Sequence, residues 1–268
     1  MIFPEGWWIV LAAAALGCCI GFKNFIWFLS VGYGLAMSLI GAVLGVMSLV
    51  NGTFCLPYLL LCAVIFAYGL RLGLFLLIRE KKNAVYKKTL DEAKGGTDKK
   101  MPMPVLISLW VTVSALFFMQ VAPLFYRLTN GPAGTGAVWL WIGLAVSLTG
   151  FILEAVADAQ KTAQKKADPH MVATKGLYRM CRCPNYFGEI LVWTGVLISG
   201  VPVVRDAQWI VVLLGYVSIV YIMFNGAKRL ELRQTKRCWK QKEYAVYADS
   251  TPILIPFLPI YHLITWIH

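Results

Sequence analysis

Seven stretches of this chain run almost without charge for about the 20 residues a helix needs to cross roughly 30 Å of hydrocarbon. They lie near residues 5 to 22, 25 to 50, 54 to 78, 104 to 126, 137 to 155, 185 to 203 and 207 to 226. Inside a bilayer no water is present to satisfy backbone amides, so such stretches must fold as helices or as a closed barrel, and runs of this length without alternation specify helices. Of the 268 residues, 59% are apolar and only 14% are charged, too few for a soluble domain to keep a hydrated surface. The expectation is an all-α, polytopic membrane bundle of about seven transmembrane helices, forming a single integral membrane domain over residues 1–268. Turn chemistry at Asn51-Gly52-Thr53 and in Asn130-Gly131-Pro132-Ala133-Gly134-Thr135-Gly136 marks the ends of spans.

Charge sets the sidedness. Lys23 lies between the first two spans, eight basic residues lie from Arg79 to Lys100, six from Lys161 to Arg182 and seven from Lys228 to Lys242, together 22 of the 25 Lys and Arg. Arg127 and Arg205 fall in the opposite loops and Arg71 falls within a span. Basic loops stay on the cytosolic side, so the odd spans run inward and the C-terminus is cytosolic. The net charge of +12 follows from this bias and argues for no nucleic-acid partner.

The seven cysteines, scattered in or beside apolar runs, read as free buried thiols. The first apolar run, Trp7 to Ile20, has no basic leader and inserts uncleaved, with Met1 as the mature start. No internal repeat of useful length is visible, and Glu80 to Lys100 reads as a solvated cytosolic loop or helix. Residues 227–249, with Trp239, Tyr244 and Tyr247, form a basic stretch suited to lie along the membrane surface. The following Pro252-Ile-Leu-Ile-Pro256-Phe-Leu-Pro259 is too short and too rich in proline to span, and packs at the interface or folds back.

Polar residues inside or at the mouth of spans carry the candidate chemistry. Arg71 lies eight residues before Arg79, roughly 12 Å deeper in a helix. It either snorkels to the cytosolic interface or lines an inner pocket. Glu154 and Asp158 share a helix face with Lys161 and Lys165, as structural ion pairs or as part of a site. Arg182, Asn185, Glu189 and Trp193 follow at spacings of three and four, a polar stripe entering the bilayer. Pro184 suits a first helical turn, and an acidic residue near a helix N-terminus gains from the dipole, but Arg182, Asn185 and Glu189 together call for protein, water or ligand.

The segment Gly176-Leu-Tyr-Arg179-Met-Cys-Arg182-Cys-Pro184-Asn185-Tyr186-Phe-Gly188-Glu189 resembles the pattern Gly-Leu-Trp-Arg-Tyr-Ser-Arg-His-Pro-Asn-Tyr-Phe-Gly-Glu. That pattern marks an uncharacterised membrane family related to the C-terminal domain of steroid 5-alpha-reductases. Tyr68-Gly-Leu-Arg71-Leu, Glu154-Ala-Val-Ala-Asp158-Ala-Gln160-Lys161 and the tail with Tyr247 and Ile253-Leu-Ile-Pro256 are similar to the same family. The resemblance covers about residues 60 to 260, so residues 1–53 are variable N-terminal spans and residues 54–260 a steroid-reductase-like core that includes the cytosolic tail. It implies a cytosol-facing cofactor pocket, with the Asn-Tyr-x-Gly-Glu element contacting NADPH. Cys183 stands where the family has His, and Tyr178, Met180 and Cys181 where it has Trp, Tyr and Ser. The Gln-Glu-x-Pro element of the steroid enzymes is absent from residues 25 to 50.

No Gly-x-Gly-x-x-Gly follows a strand, so a soluble dinucleotide fold is excluded. Cations at the inner helix ends would hold NADPH phosphates, with Arg71, Lys161, Arg179, Arg182 and Arg233 as candidates. The resemblance adds Asp158, Asn185, Tyr186, Glu189, Tyr244 and Tyr247 to the cofactor site. It makes Tyr68 the acid that polarises a substrate carbonyl; the alternative is an ordinary packing tyrosine. Cys181-x-Cys183 has no second pair, and His170, His262 and His268 show no ligand spacing, so no metal is expected. The reading is an NADPH-dependent membrane reductase of a double bond conjugated to a carbonyl in a steroid- or polyprenoid-like substrate that enters from the bilayer. Its membrane would be the endoplasmic reticulum in a eukaryote or the cytoplasmic membrane in a bacterium. The alternatives are an S-adenosylmethionine-dependent methyltransferase of a lipidated substrate and a non-catalytic lipid-binding protein.

Overall fold

The structure, a computed structural model, describes residues 1–82, 101–132, 134–167, 171–238 and 240–264. Most of the Glu80 to Lys100 stretch, Ala133, His170, Trp239 and His268 lie outside the described residues. Among those described the chain is helical: α1 (Trp7–Cys18), α2 (Val31–Val50), α3 (Leu56–Lys82), α4 (Met103–Thr129), α5 (Ala137–Ala167), α6 (Pro184–Gly200), α7 (Gln208–Cys238) and α8 (Lys242–Ser250). Single turns of 3-10 helix at Cys19–Phe22, Phe25–Leu29 and Gly176–Arg179 complete the elements.

Five of these helices, α2, α3, α4, α5 and α7, are long and apolar enough to cross a membrane, and the chain is read as an integral membrane protein. The first and sixth expected spans fold as helices of 12 and 17 residues. At 1.5 Å per residue α6 covers only about 25 Å. α5 and α7 run about a dozen residues beyond the predicted span ends at 155 and 226, reaching Ala167 and Cys238. Their apolar halves therefore continue into basic, solvent-adapted halves.

The chain gathers into two compact units. The first comprises Met1–Leu144 with Gly195–Tyr216, and the second Ala145–Thr194 with Val217–His268.

In the first unit α2 lies against α3 at backbone contact. A Cβ on Gly34 would fall 2.6 Å from the Gly69 carbonyl oxygen, and one on Gly69 would fall 2.5 Å from the Gly34 oxygen. Small residues permit this approach, which replaces the hydrophobic drive that lipid cannot supply between helices. Ser38 seals it by donating to the Gly34 and Phe66 carbonyls, each at 3.1 Å. Tyr68, Ile65, Leu61, Met37 and Ile40 fill the buried seam.

Arg127, an opposite-side residue in the sequence reading, is buried. It donates to the Thr135 carbonyl at 2.6 Å and to the Ser199 carbonyl near the end of α6. A cation at a helix C-terminus answers both its unpaired carbonyls and its dipole. Asn130 adds a bond to the Val203 carbonyl at 2.9 Å, so the loop read as plain turn chemistry is a polar clasp.

In the second unit α5 meets α6 at glycines. A Cβ on Gly188 would lie 2.8 Å from the Glu154 nitrogen and the Gly150 oxygen. Ser147 donates to the Val192 carbonyl at 2.8 Å one turn further on. This contact brings the polar ends of the two helices together.

Candidate functional site

The sequence stripe Arg182, Asn185, Glu189 and Trp193 sits on the segment that opens α6. Pro184 is its first residue, as its missing donor favours. Cys183 precedes it, its carbonyl accepting from the Tyr186 and Phe187 amides, each at 3.1 Å. The Cys183 thiol is buried, and burial pushes it up to about 11 despite the opposing pull of Lys161 and Arg182. A neutral thiol thus stands where the resemblance expects an imidazole.

The segment before α6 is docked on α5 by two glutamines one turn apart. Gln160 Oε1 accepts from the Leu177 amide at 2.8 Å, and Gln164 Oε1 accepts from the Thr174 and Lys175 amides at 3.0 and 3.1 Å. Gly176, at φ +68, passes so close to Gln160 that a Cβ would lie 2.4 Å from its oxygen. Tyr178 packs with Ala157 and Ala173, and its hydroxyl donates to the Ala157 carbonyl at 3.3 Å. Tyr247 of α8 donates to the Tyr178 carbonyl at 2.7 Å. Burial raises both phenols well above their ordinary range, so they act as neutral donors.

Arg182 anchors the C-terminal tail. Its amide donates to the Pro252 carbonyl at 2.8 Å, and its guanidinium donates to Glu231 Oε1 at 2.6 Å and to the Tyr261 carbonyl. Glu231 of α7 is 1% exposed and also accepts from the Leu263 amide at 2.9 Å. His262 lies between carboxylates, Nδ1 2.9 Å from Glu231 and Nε2 2.9 Å from Asp249. A doubly protonated ring donates to both, a neutral ring to one.

The other expected residues divide by circumstance. Asp158, Glu189 and Glu154 are buried, Lys161 and Tyr186 are half-buried, and Arg179 and Arg233 are exposed. The Tyr186 ring rests against α7 at Gly226, where a Cβ would fall 3.2 Å from it. The Tyr244 hydroxyl lies 3.2 Å from Thr235 Oγ1. Asn185 Oδ1 is buried and has no hydrogen-bond partner among the described residues. An acceptor left this way costs on the order of 1–3 kcal/mol.

Tyr68 and Arg71 belong to the first unit. Tyr68 is fully buried, its hydroxyl 3.4 Å from that of Tyr33. The Arg71 guanidinium lies 5.9 Å from the centre of the Phe75 ring, one turn toward the basic end of α3.

A family model described as "Protein of unknown function (DUF1295)" matches residues 24–251. The chain belongs to the DUF1295 family. Among curated proteins it is similar to an uncharacterized protein of Schizosaccharomyces pombe, 26% identical over 53% of this chain and 46% of that one. It is also similar to "Steroid 5-alpha-reductase DET2" of Gossypium hirsutum, 24% identical over 43% of this chain and 41% of the relative. The Arabidopsis thaliana protein of the same name is 24% identical over 45% and 44%. The matches span less than half the length of each of these relatives. No solved structure matches.

Within this DUF1295 protein the segment that the sequence pattern singled out is therefore a buried junction of α5, α6, α7, α8 and the tail. Glu231 and His262 are the members sequence reasoning missed as partners. The one available signal was a lone carboxylate among the seven cations of residues 228–242. Among the described residues no group of three side chains fit to hold a metal is present, and all seven cysteines are free.

Proposed function

We propose that the protein is an NADPH-dependent membrane reductase of a carbon–carbon double bond conjugated to a carbonyl, acting on a steroid- or polyprenoid-like substrate that enters from the bilayer. The observation that carries this reading is Asn185: a buried acceptor without a partner among the described residues, in the first turn of α6. It stands in a segment similar to the element that contacts NADPH in the steroid reductases. A carboxamide N–H is the kind of donor that would satisfy it.

NADPH, when bound, supplies the hydride. Asn185 and Glu189 would hold the amide end, with Tyr186 and Asp158 beside them. The exposed Arg179 and Arg233, with Lys161, would balance phosphate charge. Arg182, Tyr244 and Tyr247 would border the cofactor while their bonds to Glu231, Thr235 and the Tyr178 carbonyl fix the segment. Tyr68 would donate to the substrate carbonyl as negative charge develops on its oxygen. If Tyr33 donates to Tyr68, the Tyr68 proton is left for the substrate.

Purified protein in lipid nanodiscs should consume NADPH only when an enone of this class is added. Tyr68→Phe should lower the rate by about 10²- to 10⁴-fold, the usual worth of a positioned proton donor. Equal rates in the two proteins would remove Tyr68 from the mechanism. The buried carboxylates Glu154, Asp158 and Glu189 favour one second reading, in which they attract the sulfonium of S-adenosylmethionine; methyl transfer to a lipidated thiol or carboxylate without NADPH consumption would establish it.

A further inference from the structure

Between its contacts at Pro252 and at Tyr261 to Leu263, the C-terminal tail carries an apolar tip. The Ile253 amide donates to the Ile260 carbonyl at 2.8 Å, closing a small loop. Ile253, Leu254 and Pro256 are buried, whereas Phe257 is 94% exposed and Leu258, Pro259 and Ile260 are exposed beside it. One side of the loop therefore fastens it and the other presents four consecutive apolar residues. Phe257 holds φ +71, a left-handed conformation that an aromatic residue rarely adopts.

α7 sets the height of this tip. The Leu263 amide and His262 Nδ1 are both bound to Glu231. Glu231 lies seven residues after Phe224, the last large apolar residue of the uncharged run of α7, which is about 10 Å along the axis. The exposed Lys228 and Arg229 between them mark the headgroup level. Ile260 is three residues from Leu263, within about 11 Å at full extension. That reach lets the tip meet the level where hydrocarbon gives way to headgroups, a region that takes up apolar and aromatic side chains.

We propose that Phe257–Ile260 is an interfacial anchor whose partner is the phospholipid leaflet at the basic end of α7. Insertion of the tip holds the tail to the membrane and, through the Arg182 to Pro252 bond, steadies the start of α6. The inference rests on the tail alone and is independent of any catalytic assignment.

The test is depth-dependent quenching of an environment-sensitive fluorophore on Phe257→Cys, in a Cys19→Ser and Cys55→Ser background reconstituted into nanodiscs. The same label on Glu243→Cys, an exposed position of α8, serves as the aqueous reference. A nitroxide high on the lipid acyl chain should quench the label at position 257 severalfold more than the label at position 243, and aqueous iodide should quench it severalfold less. Equal iodide quenching with no effect of the nitroxide lipid would overturn the proposal, as would shielding from both quenchers, which places the tip under protein. Leu258→Cys, carrying the same label, must repeat the result and excludes an artefact of disturbing the turn at Phe257.

Discussion

Arg182 and Asn185 stand three residues apart and in opposite circumstances. Arg182 is buried with its charge matched by Glu231, whereas Asn185 buries an acceptor that the described chain leaves open. Glu231→Ala leaves a buried guanidinium without its counter-charge, and a loss of about 3–5 kcal/mol is expected. Chemical denaturation in detergent, with faster proteolysis of the tail, checks it. Asn185→Ala should leave the stability of the ligand-free protein unchanged or slightly raised, because it removes an unsatisfied group. The thiols give a third prediction at this scale. Burial pushes Cys181 to about 12 and Cys183 to about 11, so at pH 8 iodoacetamide should modify the exposed Cys19 and spare both. Because their folded-state values are raised, the folded protein holds these protons more tightly than the unfolded chain. Their contribution is intact below the ordinary thiol range and is lost as pH rises through about 11 and 12. Of these residues, Asn185 was legible from the sequence as a polar group at the mouth of a span. The engagement of Arg182 was not, because its partner lies 49 residues away in a basic run, and spacing along a helix reports only neighbours within that helix.

At the scale of elements, the apolar runs located the helices because lipid leaves their backbone no other solution. They did not locate the ends. The predicted fifth and seventh spans stop where apolar residues stop, yet α5 and α7 continue to Ala167 and Cys238. Their basic halves are good helix formers and find partners: Gln160 and Gln164 on α5 hold residues 174–177, and Glu231 on α7 holds the tail. The α5 to α6 contact yields a prediction at this scale. Gly188→Ala places a methyl 2.8 Å from backbone atoms of α5, which can yield only by parting the helices. A loss of about 1–3 kcal/mol is expected, the usual cost of overpacking, together with weaker NADPH binding, since Glu154 and the start of α6 must shift. An unchanged thermal midpoint would show that the pair does not pack this closely.

For the whole molecule, the abundance of apolar residues and the length of the uncharged runs pointed to the class before any contact was known. Membership in DUF1295 and the similarity to steroid 5-alpha-reductases agree with the local pattern around residues 176–189. The junction of α5, α6, α7, α8 and the tail was only partly visible beforehand, since it is assembled by hydrogen bonds between segments far apart in sequence. Such bonds leave no period to read. The polar residues recognised as a stripe supply one wall of that junction, and Glu231, His262 and Asp249 supply the part that no motif announced. The most direct test of the account is the thermal midpoint of the purified protein with and without NADPH, because a ligand that binds only the folded state stabilises it, by about 2.7 kcal/mol at 100 times its Kd. The account predicts a rise that Asn185→Ala abolishes. A midpoint unmoved by NADPH, or moved equally in Asn185→Ala, would contradict it.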